Sequence, residues 1–170
     1  LQSVDVSPSV ARIGDNFNFN SIVENLGSVD AGVNTSVGYY LSNDIILDGS
    51  DILLITQTVS PVSAGLNSSA NTLYNFNPSF APGNYYIIFK ADVYNELVEQ
   101  DESNNDGYFA FTLNPPPQPD YVVENPIANP VMLSVSTPLI VSATIRNAGD
   151  LDASAGSAVR LAFSDNITYE

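Results

Sequence analysis

The sequence predicts an all-β protein, one complete antiparallel β-sandwich followed by the first half of a second. Three observations predict it. Short runs alternate apolar and polar residues, which is the side-chain period of a strand, and no stretch shows a helical period. Asn, Ser, Gly and Pro punctuate those runs at close intervals. And one stretch is written twice. Asn25-Leu26-Gly27-Ser28-Val29-Asp30-Ala31, a strand through Val37, Tyr39 and Leu41, and Ser42-Asn43-Asp44-Ile45 return 122 residues on. The copy reads Asn147-Ala148-Gly149-Asp150-Leu151-Asp152-Ala153, a strand through Val159, Leu161 and Phe163, and Ser164-Asp165-Asn166-Ile167.

In chain order, Leu1 to Ser7 reads as a first strand ended by Pro8, and Ser9 to Ile13 continues it after that break. Gly14-Asp15 turns the chain. In Asn16 to Glu24, Phe17, Phe19, Ser21 and Val23 share one face. The copy keeps that parity with Leu139, Val141, Ala143 and Ile145, and equal parity means equal burial. Asn34 to Leu41 is the next strand, Ser42 to Asp51 a polar loop, and Ile52 to Val59 a strand. After the Pro61 to Asn67 loop, Ala70, Thr72, Tyr74 and Phe76 share a face. Pro78 to Gly83 turns, and Tyr85, Ile87, Phe89, Ala91 and Val93 form the most regular alternation in the chain. Tyr85, at the start of the penultimate strand, sits where the tyrosine corner of such sandwiches sits. Leu97 to Asp106 is an acidic loop and Gly107 to Leu113 a last strand. This assigns residues 1–113 to a sandwich of ordinary size. Residues 114–119, Asn-Pro-Pro-Pro-Gln-Pro, cannot continue a strand and read as a semi-rigid linker. Residues 120–170 hold the first three strands of the second copy. Half a sandwich leaves an apolar face and a strand edge open. The expectation is a longer natural protein; the alternative is a partner that supplies the missing strands. The chain also opens at Leu1 inside strand-like sequence, which predicts residues before it.

Charge and composition narrow the function. The 170 residues carry 4 Lys and Arg against 19 Asp and Glu, a net charge of −15. Such a surface repels phosphate backbones and anionic headgroups, so nucleic acid is excluded as a partner. No apolar run approaches the ~20 residues of a membrane span, so direct membrane insertion is excluded too. There is no Cys and no His, which removes the commonest catalytic base and the commonest nucleophile and predicts no enzyme. A glycosidase would need only two facing carboxylates, but among nineteen acids such a pair always exists. Sequons occur at Asn34, Asn67 and Asn166, informative only where exported proteins are glycosylated.

The first copy carries an ordered set of motifs: Gly14, Asn25-Leu26-Gly27, Tyr40-Leu41-Ser42-Asn43-Asp44 with Leu47-Asp48 and Asp51, Pro82-Gly83-Asn84-Tyr85, Ala91-Asp92, and Glu99 to Asn105. In these it resembles the CARDB family, the cell-adhesion-related domain found in bacteria and also in archaea. The second copy resembles only the first half of that pattern and departs from it, with Ser136 for Gly14 and Ala162 for Tyr40. The resemblance implies an immunoglobulin-like sandwich, tandem repetition, and a place in surface or secreted proteins of bacteria or archaea. It carries over no catalytic site and names no adhesion target.

Cation binding is the sharpest site expectation. Loop oxygens a few residues apart suit Ca2+, which takes 6–8 of them. One cluster is Asp44, Asp48 and Asp51, with Asn43 and Ser50 nearby. The other joins two loops that emerge at the same end of a sandwich, bringing together Asn25, Asp30, Asp101, Glu102, Asn105 and Asp106; the Asp44 loop should lie at the opposite end. The plain alternative is that Asn and Asp serve turns by accepting backbone N–H bonds. The tyrosines at 39, 40, 74, 85, 86, 94 and 108 invite a glycan-binding reading, yet most follow the core parity. Tyr40 and Tyr86 break it and are expected either in an exposed patch or beneath a neighbouring repeat. The function expected is non-catalytic: a repeat of a longer cell-surface protein that spaces or projects an adhesive element, with neighbouring repeats as its partners. The alternatives are a Ca2+-dependent module that binds glycan or protein, and a filament subunit completed by strand donation.

Overall fold

Alternation along the chain becomes strands nearly where it occurs. The structure is a computed structural model and describes residues 1–132, 134–154 and 156–162. Its two units are Leu1–Pro116 and Pro117–Glu170.

In the first unit the strands are β1 (Ser3–Ser7), β2 (Val10–Arg12), β3 (Asn16–Glu24), β4 (Thr35–Ser42), β5 (Ile52–Val59), β6 (Asn67–Asn75), β7 (Gly83–Lys90) and β8 (Asp106–Asn114). They form a three-stranded sheet in the order β1-β3-β6 and a five-stranded sheet in the order β2-β8-β7-β4-β5. Apart from β2 on β8, every pairing is antiparallel. This is the immunoglobulin-like sandwich that the alternation predicted.

The core is aromatic. Phe17, Phe19, Tyr39, Phe76 and Phe89 are fully buried, and Phe17 meets Phe76 edge to face at 4.9 Å between centroids, a favoured aromatic geometry. The Tyr39 ring lies 5.4 Å from Phe19 and 5.2 Å from Phe89. A buried phenol needs a partner, and the Tyr39 hydroxyl donates to the Ala70 carbonyl at 3.1 Å. Ser21 Oγ donates to the same carbonyl at 3.1 Å. Burial pushes the Tyr39 phenol pKa up. The tyrosine corner is present: the Tyr85 hydroxyl donates to the Ala81 carbonyl at 2.9 Å.

Two expectations are corrected here. β2 does not continue β1. It crosses to the other sheet and pairs in parallel with β8, Val10 opposite Thr112; Pro8 has no N–H to extend the first ladder. And β7 ends at Lys90, so Ala91 and Val93 are not strand residues. Asp92 adopts φ +44, outside the strand region of backbone space, and starts a turn instead. Period-2 spacing continues past the point where the strand stops.

The second unit holds β9 (Tyr121–Asn129) and β10 (Ile140–Asn147), paired antiparallel. Its register repeats that of β1 on β3. Ser7 pairs with Asn18 and Val6 with Phe19; Asn129 pairs with Ile140 and Ala128 with Val141, each position 122 residues on. A bulge then shifts the pairing between Ser142 and Thr144. Gly14 has φ +97, and its counterpart Ser136 has φ +73. The third strand expected in this copy, through Val159 and Leu161, is not formed: residues 156–162 carry no strand. In the first unit β4 takes its hydrogen bonds from β5 and β7, and no such strands flank its counterpart among the described residues. Phe163 and the Ser164 to Ile167 part of the copy lie outside the described residues. Val123, Val141 and Ile145 on the paired strands are 59%, 39% and 37% exposed.

Candidate functional site

Three loops of the first unit meet at one end: the β3–β4 loop, the β5–β6 loop and the β7–β8 loop. Together they line a cleft of about 850 Å³. Asn25, Asp30, Asp101 and Asn105 line it; Glu102 and Asp106 do not. Every charged side chain on the lining is acidic, namely Glu24, Asp30, Asp92, Glu99 and Asp101.

Most of the polar groups are turned to the loops themselves. Asn25 Oδ1 accepts from the Gly27 N–H at 3.0 Å, and its Nδ2 donates to the Val29 and Val62 carbonyls, both at 2.9 Å. One side chain therefore pins its own loop and ties it to the β5–β6 loop. Asp30 Oδ1 accepts from the Ala64 N–H at 2.9 Å and adds a second tie. On the far wall, Asp101 caps the short 3-10 helix Glu102–Asn104 by accepting from Ser103 N–H at 2.9 Å and Ser103 Oγ at 2.6 Å. These bonds, the hydroxyl's foremost, hold its carboxyl pKa below the usual 3.8. Asn105 is 3% exposed. Its Nδ2 donates to Glu99 Oε2 at 2.6 Å and to Glu102 Oε2 at 3.2 Å, so one amide holds two carboxylates side by side. Asp106 leaves the cluster to pair with Lys90 Nζ at 3.1 Å.

The Asp44 to Asp51 loop joins the opposite ends of β4 and β5, as expected. There each carboxylate serves a tight turn. Asp44 Oδ1 accepts from Ile46 N–H, Asp48 Oδ1 from Ser50 N–H and Asp51 Oδ2 from Asp48 N–H, all at 2.8 Å. The Ser50 backbone bond depresses the Asp48 pKa. Among the described residues no three His, Cys, Asp or Glu side chains are gathered to hold a metal; Glu99 and Glu102 meet as a pair on Asn105.

Asp92 stands in the sequence only as part of the Ala91-Asp92 motif, with no role of its own. It is 4% exposed and its two oxygens accept from the Glu96 and Leu97 N–H groups at 2.8 and 3.0 Å. Backbone donors compensate the burial of its carboxylate. The signal available was the Ala91-Asp92 pair itself, an acid at a position where alternation placed a strand.

The two copies share their turn. Asn147 Oδ1 accepts from the Gly149 N–H at 3.1 Å and its Nδ2 donates to the Leu151 carbonyl at 2.7 Å, the bonds that Asn25 makes to Gly27 and Val29. Asn147 Oδ1 also accepts from Asp120 N–H at 2.9 Å. A Cβ on Gly149 would lie 2.2 Å from the Gln118 carbonyl oxygen, so no other residue fits there. Of the tyrosines, Tyr39 and Tyr74 pack in or against the core with Tyr85. Tyr40 and Tyr86 lie on the other face of their strands, with Tyr94 and Tyr108 exposed nearby. Among the described residues no helix is long and apolar enough to cross a membrane.

No curated protein matches the chain. Among solved structures, it is similar to the crystal structure of the CARDB domain of a Pyrococcus furiosus protein in complex with di-metal ions. The identity is 20% and the TM-score 0.50, over 68% of this chain and 98% of that one. The solution structure of the Pyrococcus furiosus domain gives 18% identity and a TM-score of 0.50, over 66% and 93%. A Listeria innocua β-glucosidase has a like stretch, 13% identical with a TM-score of 0.44, over 16% of its own length; likeness of that order says nothing about activity. The CARDB family model matches residues 2–108, which run from β1 to the start of β8 and include the cleft loops and the Asp44 to Asp51 loop. The chain belongs to the CARDB family, a non-catalytic, cell-adhesion-related and cell-surface-associated domain family.

Proposed function

We propose that this chain is a stretch of an extracellular surface protein in which CARDB domains follow one another and space or project an adhesive element. The observation that carries this reading is the recurrence of one strand register and one Asn-centred turn at a constant offset of 122 residues. Repeats of this kind suit a spacer, since each adds a fixed length. A net charge of −15 keeps such a polymer soluble and self-repelling. The test is small-angle scattering on chains carrying one, two and three copies of residues 1–122. A spacer's maximum dimension grows in proportion to copy number; a constant or compact dimension counts against it.

A second reading adds calcium at the β7–β8 loop. It is supported by the Glu99 and Glu102 carboxylates held together on Asn105, and by the metal ions bound to the Pyrococcus furiosus domain. The pair supplies only part of the 6–8 oxygens that Ca2+ needs; loop carbonyls and water would have to supply the rest. A melting temperature unmoved between excess EGTA and millimolar Ca2+ would end this reading, because a ligand of the folded state must raise it.

A further inference from the structure

The outer face of the five-stranded sheet carries a row of large side chains that the core does not use. Leu53 pairs with Tyr40, Tyr40 with Ile88, and Ile88 with Tyr108. Directly paired residues share a face, so these four form a line across β5, β4, β7 and β8. Three inter-strand steps span about 14 Å. Tyr86 stands beside the line, its ring 6.0 Å from that of Tyr108 and nearly perpendicular to it. Tyr94 adds a further ring, 58% exposed, and Tyr108 is 52% exposed. Ile88 is only 1% exposed although it lies on this outer face between Tyr40 and Tyr108 in the row. Gly38 explains how Tyr40 is held. A Cβ there would lie 3.0 Å from Tyr40 Cε2 and 2.8 Å from Val93 Cγ2. The absent side chain lets the Tyr40 ring lie over the strand, wedged by Val93, so its orientation is set before any ligand arrives.

The charge of the face selects among occupants. Its ion pair, Lys90 with Asp106 at 3.1 Å, is internally matched, and Glu96 beside Ser36 adds negative charge, so an anionic ligand is disfavoured there. The chain's net charge of −15 repels polyanions. Aromatic rings with polar tips suit a partner that is apolar on one side and hydroxylated on the other, and a line of them suits an extended one. We propose that this face binds an uncharged polysaccharide laid across the strands, with sugar rings stacked on Tyr40 and Tyr108. The inference goes beyond the spacer reading and does not depend on it, since length and polysaccharide binding are read in separate experiments.

The test is affinity electrophoresis of the whole chain through gels containing laminarin, mannan, xylan or galactan, with alginate and polygalacturonate as charged controls. Retardation is expected in at least one neutral gel. Tyr40→Ala and Tyr108→Ala should each weaken it about tenfold, the size of a lost aromatic anchor. Tyr40→Phe, which keeps the ring over Gly38, should stay within about threefold of the parent. Tyr108→Ser, at a half-exposed position, serves as the variant whose melting curve stays unchanged while binding falls. Migration unaffected by every neutral polysaccharide overturns the proposal. So does retardation by the charged polymers alone, or retardation that survives Tyr108→Ala. Concentration-dependent self-association abolished by Tyr108→Ala, without retardation, also overturns it and assigns the face to a second copy.

Discussion

Phe19 and Val141 occupy the same place in two copies of one pattern. Phe19 pairs with Val6 across β3 and β1, and Val141 pairs with Ala128 across β10 and β9. The first is fully buried; the second is 39% exposed. The local structure around them is alike, with the same register and the same asparagine-pinned turn at the strand's end. The difference is what lies opposite. Phe19 faces Tyr39 and Phe89 from the five-stranded sheet, whereas no second sheet is paired in the other unit among the described residues. Pairing and turns are thus written by neighbouring residues, while burial has to be supplied by strands far along the chain.

The largest effect that sharpens this comparison is a matched pair of truncations. Phe19→Ala should destabilise the first unit by about 3–5 kcal/mol, as a large side chain lost from a core does. Val141→Ala, its counterpart, should cost about 0.5 kcal/mol or less, as at an exposed position. Urea unfolding followed through the NMR signals of β3 and β10 measures both. Equal losses would mean that the second copy has a covering layer after all.

Next come the two turn asparagines. Asn25→Ala removes three hydrogen bonds, two of them part-buried, and should cost about 2 kcal/mol; Asn147→Ala also removes three, but its bonds to Asp120 and Leu151 are exposed to solvent, and it should cost about 1 kcal/mol. In the same denaturation experiment, an Asn25 variant no worse than the Asn147 variant would remove the β5–β6 tie from the account.

Alkaline pH probes the core of the first unit. The Tyr39 phenol has its pKa raised by burial above the ordinary 10. A raised pKa means the folded state keeps its proton longer than the unfolded one. Its contribution is therefore complete below about pH 10 and is lost as pH rises through the folded value. Phenolate absorbance measured against pH, in the parent and in Tyr39→Phe, should show a late fraction that the variant lacks. Loss of the Tyr39 hydroxyl bond to Ala70 should also cost about 1 kcal/mol at neutral pH.

The smallest expected effect is at the acidic caps. Ser103→Ala removes the foremost bond that depresses the Asp101 pKa, so the NMR titration midpoint of Asp101 should rise toward 3.8 while that of Asp48 stays low. A depressed carboxyl stabilises the fold above its unfolded pKa, and that contribution fades as pH falls through the folded value.

The sequence reading reached strand positions, the parity of the buried face and the common end of the two loops, because each follows from a period of two and the order of strands. It missed where β2 pairs, since Val10, Ala11 and Arg12 alternate equally well in either sheet. It carried β7 through Ala91 and Val93, since alternation is blind to the positive φ at Asp92. It grouped Glu102 and Asp106 as ligands with Asn105. In the structure a single 3-10 turn hands Glu102 to the Asn105 amide, while Asp106 faces Lys90 across the β7–β8 ladder. Such one-to-one contacts depend on a rotation of a few residues that no composition or spacing records. Tyr40 and Tyr86, by contrast, were legible as exceptions to parity, and it is on those exceptions that the outer aromatic row stands.

Amide hydrogen exchange on the intact chain tests the central contrast most directly. The amides of β3, a strand paired with β1 on one side and β6 on the other, should exchange only on global unfolding of the first unit. Those of β10, paired on one side alone, should exchange by local opening and far faster. Comparable protection at Phe19 and Val141 would contradict the claim that the two copies share their pairing but not their burial.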